Sequence, residues 1–164
     1  MNARRIIVPL DGSVLAEAAL PKAIEVARAT PGARLTLLRA AEASALPVRD
    51  PIEAQIVVIR DAEDYLEAVA ASLEGEGVPV TTSVWYGPPA AAIVDAAAAT
   101  RAELIVMSTH GRSGLNRLVL GSVAESVLRA THVPILLLRP DRAPVARPIG
   151  AAKQTPAKET THAV

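Results

Sequence analysis

The chain has 164 residues, a length that favours a single domain with a sizeable core. Lysine and arginine number 17 and so do aspartate and glutamate, and the resulting zero net charge argues against a broad nucleic-acid-binding surface. Cysteine is absent, which excludes disulfides, thiolate catalysis and cysteine-based zinc sites.

Short apolar runs alternate with helical patterns along the chain. In chain order, the sequence predicts a strand at 4–10, a helix at 13–30, a strand at 33–40, a helix at 52–74, a strand at 78–86, a helix at 89–100, a strand at 103–108, a helix at 122–131 and a strand at 133–139. The apolar runs are rich in Val, Ile and Leu, as is typical of strands buried on both faces. The alternation predicts a single-domain, Rossmann-like α/β fold, an open five-stranded parallel sheet with helices on both faces.

Two details refine the helices. Pro21 lies inside the first helical pattern and predicts a kink or a break there. The last helical pattern opens with Ser122 and Glu125, the spacing of a capping box.

The two ends of the chain differ in character. We assign residues 1–140 to the folded domain and residues 141–164, rich in Pro and Ala and without periodicity, to a flexible tail. The first apolar run ends at Asp11, too early for a signal peptide, and no apolar stretch reaches membrane-spanning length. We therefore expect a soluble, cytoplasmic protein without a membrane partner.

Two loops are candidates for a binding site. Residues 107–123 follow the fourth strand, and Asp11, Gly12 and Ser13 follow the first. Ligands of parallel sheets bind beyond the carboxyl ends of the strands, where successive connections diverge. If the first and fourth strands are neighbours, both loops border one crevice.

The longer loop has the chemistry of an anion site. Gly111, Gly114 and Gly121 allow backbone N–H groups to approach an oxyanion, and Gly121 and Ser122 precede a helix whose dipole favours negative charge. Arg112 and Arg117 add positive charge. Taken singly, each residue is explained as well by a turn, a helix cap or a solvated charge. Their convergence on one loop favours anion binding, although a P-loop, a dinucleotide-binding glycine motif and a nucleophile elbow are all absent from the sequence.

The chain resembles the universal stress protein family over about residues 4–139. Nucleotide-binding members carry Gly, two residues, Gly, nine residues, then Gly-Ser or Gly-Thr. That spacing falls here on Ser108, which replaces the first glycine, and on Gly111, Gly121 and Ser122. The segment IIVPLDGS resembles the family's first strand, with Pro9, Asp11 and Ser13 in register, and VPILLLRP resembles its last strand.

The resemblance implies the strand order 3-2-1-4-5, in the adenine nucleotide alpha hydrolase-like variant of the fold, and binding of ATP with Mg²⁺. It places Pro9 and Asp11 near the ribose, with Asp11 also a candidate Mg²⁺ ligand, and it places Ala40 and Met107 at the adenine. It directs towards the phosphates a set of loop residues: Gly111, Gly121, Ser122 and the N–H of Val123. Ser13, Ser108 and Arg112 complete the candidate site.

Three functions remain open at this point. The leading hypothesis is an ATP-binding, dimeric stress-response module with at most slow hydrolysis, because no obvious general base accompanies the loop; Asp11 and His110 are the candidates. The second is a dimeric interaction protein of the same fold that binds no nucleotide. The third is an enzyme, a nucleotide hydrolase or transferase, in the same crevice. We expect a homodimer through residues 133–139, since an open apolar edge strand invites pairing.

Truncation after Asp141 should leave the melting temperature nearly unchanged, because the tail has too few large apolar residues to offset the entropy of ordering. Thermal unfolding followed by circular dichroism measures this. A large drop would show that the tail packs on the domain or on a second copy.

Overall fold

The computed structural model describes residues 2–42, 50–109 and 120–139. Its elements, in chain order, are β1 (Arg5–Pro9), α1 (Val14–Glu17), α2 (Leu20–Arg28), β2 (Arg34–Ala41), α3 (Pro51–Ser72), β3 (Val80–Tyr86), α4 (Pro89–Ala99), β4 (Leu104–Ser108), α5 (Ser122–Ala130) and β5 (Ile135–Leu138). Each predicted strand and helix has its counterpart, and the predicted first helix is two helices. The predicted tail, residues 141–164, lies outside the described part.

The sheet has the order β3-β2-β1-β4-β5 and all of its pairs are parallel, which confirms the predicted fold. The chain adds β2 and β3 on one side of β1 and then returns to add β4 and β5 on the other. β1 and β4 are therefore neighbours, with Ile6 opposite Leu104 and Ile7 opposite Ile105. At the amino ends of these strands, the Arg4 N–H donates to the Glu103 carboxylate at 2.6 Å. This hydrogen bond is the main reason that the pKa of the Glu103 carboxyl lies below its usual value.

Alternating side chains divide the interior into two cores, one on each face of the sheet. One face packs against α1, α2 and α3 through the buried residues Ile6, Val8, Leu35, Leu37, Leu104 and Val106. The other face packs against α4 and α5 through Ile7, Leu38, Ile105 and Met107. The helices contribute many alanines to both cores, so they lie close to the sheet.

The edge strands differ from the expectation that all strands are buried on both faces. β1 and β4 are almost wholly buried, but β5 is half-buried throughout and β3 exposes Thr81, Thr82 and Tyr86. An edge strand has only one neighbour, and the helices cover the middle of the sheet more fully than its margins.

Pro21 accounts for the break in the first helical pattern. α1 ends at Glu17 and α2 begins at Leu20, with Pro21 in its first turn, where the missing N–H costs no helical hydrogen bond. α3 begins cleanly because Asp50 caps it, accepting a hydrogen bond from the Ile52 N–H at 2.8 Å.

The predicted capping box at α5 is wrong. Gly121, and not Ser122, is the N-cap residue, and no side chain caps this helix. Glu125 instead accepts from Arg129 one turn later, at 2.8 Å. A glycine N-cap leaves the first N–H groups of α5 without a side-chain acceptor from the cap residue.

Within residues 2–42, 50–109 and 120–139, no helix is long and apolar enough to cross a membrane.

Leu104→Ala should lower the free energy of unfolding by about 2–5 kcal/mol, because this side chain is fully buried in the central strand beside β1. Leu128→Ala is the matched control, since Leu128 is 50% exposed on α5, and it should cost under about 1 kcal/mol. Urea denaturation of both variants measures the difference. Equal losses would contradict the assignment of Leu104 to the core.

Candidate functional site

The turn from β1 to α1 holds a carboxylate and a hydroxyl in fixed positions. Asp11 Oδ1 accepts two hydrogen bonds from Ser13, one from its N–H at 3.0 Å and one from its hydroxyl at 2.6 Å. Ser13 Oγ in turn accepts from the Ala16 N–H at 3.1 Å and so caps α1. Between them, Gly12 has φ +83°, a conformation that favours glycine. The turn is therefore specified by its own side chains.

The second part of the site lies at the end of β4. The Thr109 N–H donates to the Leu138 carbonyl at 2.8 Å, which continues the sheet one residue past β4. The Gly121 N–H donates to the Thr109 carbonyl at 2.8 Å. This bond brings the start of α5 against the end of β4, and the N–H groups of Ser122 and Val123 lie in the first turn of α5.

Three of the predicted residues share one face of the sheet. Met107 belongs to the core beneath α4 and α5, as do Ile7 and Leu38. Pro9 and Ala40 each lie two residues beyond a member of that core, so strand alternation places them on the same face. The carboxyl ends of β2, β1 and β4 thus present Ala40, Pro9 and Met107 side by side, next to the start of α5.

The structure brings together nine of the eleven predicted site residues at this edge of the sheet: Pro9, Asp11, Ser13, Ala40, Met107, Ser108, Gly121, Ser122 and Val123. Gly111 and Arg112 lie outside the described residues, as do His110, Gly114 and Arg117. Gly121 has φ −61° and ψ 147°, an extended conformation that does not require glycine.

Ser108 has an unusual environment. It is the last residue of β4 and only 7% exposed, and its Oγ is the buried side-chain atom of the described residues that lacks a hydrogen-bond partner. A buried hydroxyl without a partner is unfavourable, so we expect a water or a ligand to form a hydrogen bond with it.

Sequence reasoning missed a polar cluster formed by Arg39, Tyr65 and Glu17. The Tyr65 hydroxyl donates to Glu17 Oε1 at 2.8 Å in the interior, where Glu17 is only 8% exposed. The Arg39 guanidinium carbon lies 4.7 Å from the centroid of the Tyr65 ring. Burial raises the pKa of Tyr65, and the hydrogen bond to Glu17 raises it further, so the phenol remains a donor.

The sequence signals for this cluster are weak. Arg39 interrupts an apolar strand and Glu17 stands among alanines, but neither position identifies its partner. Tyr65 lies 48 residues from Glu17 along the chain. Only the folded structure brings the three side chains together.

No group of three or more His, Cys, Asp or Glu side chains able to hold a metal ion occurs in the part of the chain that the structure describes. Asp11 belongs to no such group among these residues.

Comparison with known proteins gives consistent results. The universal stress protein family model matches residues 2–139. Universal stress protein MJ0531 of Methanocaldococcus jannaschii is 33% identical over 140 residues, covering 83% of this chain and 82% of the relative.

Solved structures share the architecture. The universal stress protein UspA from Lactobacillus plantarum superposes with a TM-score of 0.73 at 26% identity, covering 85% of this chain and 99% of that one. A universal stress protein in complex with cAMP superposes with a TM-score of 0.62 at 22% identity, covering 84% of this chain and 98% of that one. Given the match along residues 2–139, the strand order and the paired loops, this chain belongs to the universal stress protein family.

Proposed function

We propose that the chain is an ATP-binding, dimeric module of the stress response, in which ATP acts as a bound effector. The observation that carries this proposal is the adjacency of the Asp11–Ser13 turn and the start of α5 at the carboxyl ends of the neighbouring strands β1 and β4. This is where ligands of open parallel sheets bind. A family member with the same fold was solved in complex with cAMP, an adenine nucleotide.

The described residues support a division of roles. The sheet face shared by Pro9, Ala40 and Met107 is apolar and suits the base and the sugar, with Asp11 at the ribose hydroxyls. The N–H groups of Ser122 and Val123 in the first turn of α5, next to Gly121, suit phosphate, because the amino end of a helix attracts anions. Gly111 and Arg112 belong to the same proposed phosphate loop.

Two hydroxyls complete this site in the proposal. Ser13 lies in the turn that holds Asp11, and Ser108 ends β4 with an unpaired Oγ. Ser108 alternates with Met107 along β4 and so lies on the opposite face, where a nucleotide oxygen or a water beyond the end of the strand would give this buried hydroxyl a partner.

Mg²⁺ is part of the proposal through Asp11. This ion commonly binds one or two carboxylates together with phosphate oxygens of the substrate and retained waters. A single Asp11 carboxylate fits that mode, in which the nucleotide supplies the remaining charged ligands.

Hydrolysis is proposed to be slow at most. Asp11 Oδ1 already accepts two hydrogen bonds from Ser13, and its proposed role is to hold the sugar or Mg²⁺. His110, the other candidate base, lies outside the described residues. A cytoplasmic location belongs to the same proposal. So does the absence of a nucleic-acid partner, which the zero net charge supports.

A second candidate function, a dimeric interaction protein without nucleotide, is favoured by one observation. Ser108 places a Cβ and a hydroxyl where the family's nucleotide-binding motif has glycine. ATP binding by the wild-type protein decides between the two.

The dimer is proposed to form through β5. This strand is half-buried and has β4 as its neighbour on one side. The Ile105 N–H donates to the Pro134 carbonyl, and the Thr109 N–H donates to the Leu138 carbonyl. Backbone groups of successive residues in a strand point to opposite sides. Ile135 and Leu137 therefore direct their N–H and carbonyl groups away from β4. These outward groups are available to a second copy.

Gly121→Val should weaken ATP binding by about tenfold or more, because the branched side chain stands at the backbone's approach to phosphate. Since φ is −61°, valine fits the backbone, and the stability loss should stay near about 1 kcal/mol from the poorer N-cap. Arg112→Ala should act more mildly by removing one charge. Calorimetric titration with ATP and Mg²⁺ measures the affinities, with folding checked by circular dichroism.

The matched control for this change is Gly32→Val, which strains a turn at the opposite edge of the sheet, where φ is +75°. It should lower stability and leave ATP affinity unchanged. Equal affinity in wild type and Gly121→Val, or no binding by the wild type, would remove the nucleotide proposal and favour the interaction protein.

Leu137→Pro should convert the dimer to a monomer, because it removes an N–H that faces away from β4 and leaves the β4–β5 pairing intact. Leu137→Ala keeps that N–H and should remain dimeric. Light scattering distinguishes the states, since each chain is 17.0 kDa. A wild-type protein that is monomeric at micromolar concentration would refute the dimer.

A further inference from the structure

The Arg39–Tyr65–Glu17 cluster lies directly behind the turn that carries Asp11. A Cβ built on Gly12 would lie 3.5 Å from Arg39 Nη2 and 3.6 Å from both Cζ and Nη1. Three guanidinium atoms at nearly equal distances mean that the planar group lies flat against the turn. The same guanidinium group lies over the Tyr65 ring, so it is placed between the turn and α3.

The same cluster also holds the helix that follows the turn. α1 has only four residues, begins after Ser13 and ends at Glu17. A helix this short gains little stability of its own. The Tyr65 hydroxyl binds the carboxylate of Glu17, and this buried contact fixes the far end of α1 to α3.

The two contacts therefore restrain both ends of one short segment. Arg39 lies against Gly12 from β2, and Tyr65 donates a hydrogen bond to Glu17 from α3. Ser13 lies within this segment and Asp11 directly precedes it. The two residues are joined by hydrogen bonds. Alternation along β2 places Arg39 on the sheet face opposite Ala40, so the cluster supports the turn from the side away from the proposed nucleotide.

We propose that Arg39, Tyr65 and Glu17 are positioning residues, which hold Asp11 and Ser13 in the geometry that binds the nucleotide. The inference rests on the proposed function, because it assigns the cluster a role in that same site. None of the three side chains touches the ligand in this account. They act by keeping the turn in one conformation before the nucleotide binds. Binding then carries no entropic cost of ordering the turn, and the affinity is higher.

Tyr65→Phe tests the contact between α3 and α1. Phenylalanine keeps the ring beneath Arg39 and removes the hydroxyl that binds Glu17. ATP affinity should fall about tenfold, and in the ligand-free protein the backbone amides of residues 12–16 should exchange with deuterium about tenfold faster, because the segment opens more often. Amides of β4 should be unaffected. Tyr86→Phe is the matched control, since Tyr86 is 50% exposed at the end of β3, and should change neither quantity.

Arg39→Met tests the contact between β2 and the turn. Methionine keeps an unbranched apolar chain and removes the planar cation, so affinity should fall and the same amides should exchange faster. Arg39→Lys should restore part of the affinity, because it restores the charge without the planar contact. Arg34→Met, at the exposed start of the same strand, should leave both quantities unchanged.

A double variant separates positioning from stability. Tyr65→Phe removes the hydroxyl that donates to the buried Glu17 carboxylate, whereas Tyr65→Phe combined with Glu17→Met removes both members of this hydrogen bond and should recover part of the melting temperature. Positioning predicts that ATP affinity stays weak in the double variant. If affinity returns together with the melting temperature, the cluster is only structural and the proposal is overturned.

The remaining outcomes also decide the question. Wild-type binding with equal affinity in Tyr65→Phe and Arg39→Met overturns the positioning role and leaves the proposed function standing. If the wild type binds no ATP, the proposed function fails, and the role of the cluster in nucleotide binding fails with it. In that case unchanged amide exchange at residues 12–16 would further show that the cluster does not restrain the turn.

Discussion

The parallel pairing of β1 with β4 is the contact on which the proposed site depends. Ile6 and Ile7 lie opposite Leu104 and Ile105, so the two strands end at the same edge of the sheet. The turn after β1 and the start of α5 after β4 consequently meet, although more than a hundred residues separate them along the chain. Without this pairing, Asp11 and Gly121 could not border one site.

The two faces of the sheet serve the site in different ways. The face beneath α4 and α5 carries the apolar surface at Met107 and the first-turn N–H groups of α5. The opposite face carries the Arg39–Tyr65–Glu17 cluster, the proposed support of the turn. In the proposal, Met107 and the start of α5 bind the nucleotide from one face and the cluster supports the turn from the other, with the buried central strands between them.

Much of the fold was predictable because hydrophobic periodicity and turn residues are local properties. Alternating apolar runs located all five strands, and Pro21 indicated the break between α1 and α2. The strand order came from family resemblance, since periodicity does not specify neighbours. The prediction of a capping box was wrong because α5 begins one residue earlier than the pattern implies. Gly121 is the N-cap, so Ser122 and Glu125 each lie one position too far into the helix. Arg39 was missed because its contacts with Tyr65 and Gly12 depend on the folded chain, which no local pattern encodes.

The central claim is that an adenine nucleotide binds between the ends of β1 and β4. Amide NMR spectra of the ¹⁵N-labelled protein, recorded during titration with ATP and Mg²⁺, test it most directly, because each perturbed N–H reports its own position. The account predicts that shifts concentrate at Gly12, Ser13 and Ser108 and at residues 121–123, with amides at the amino ends of the strands unchanged. Shifts confined to other surfaces, or no shifts at millimolar ATP, would contradict it.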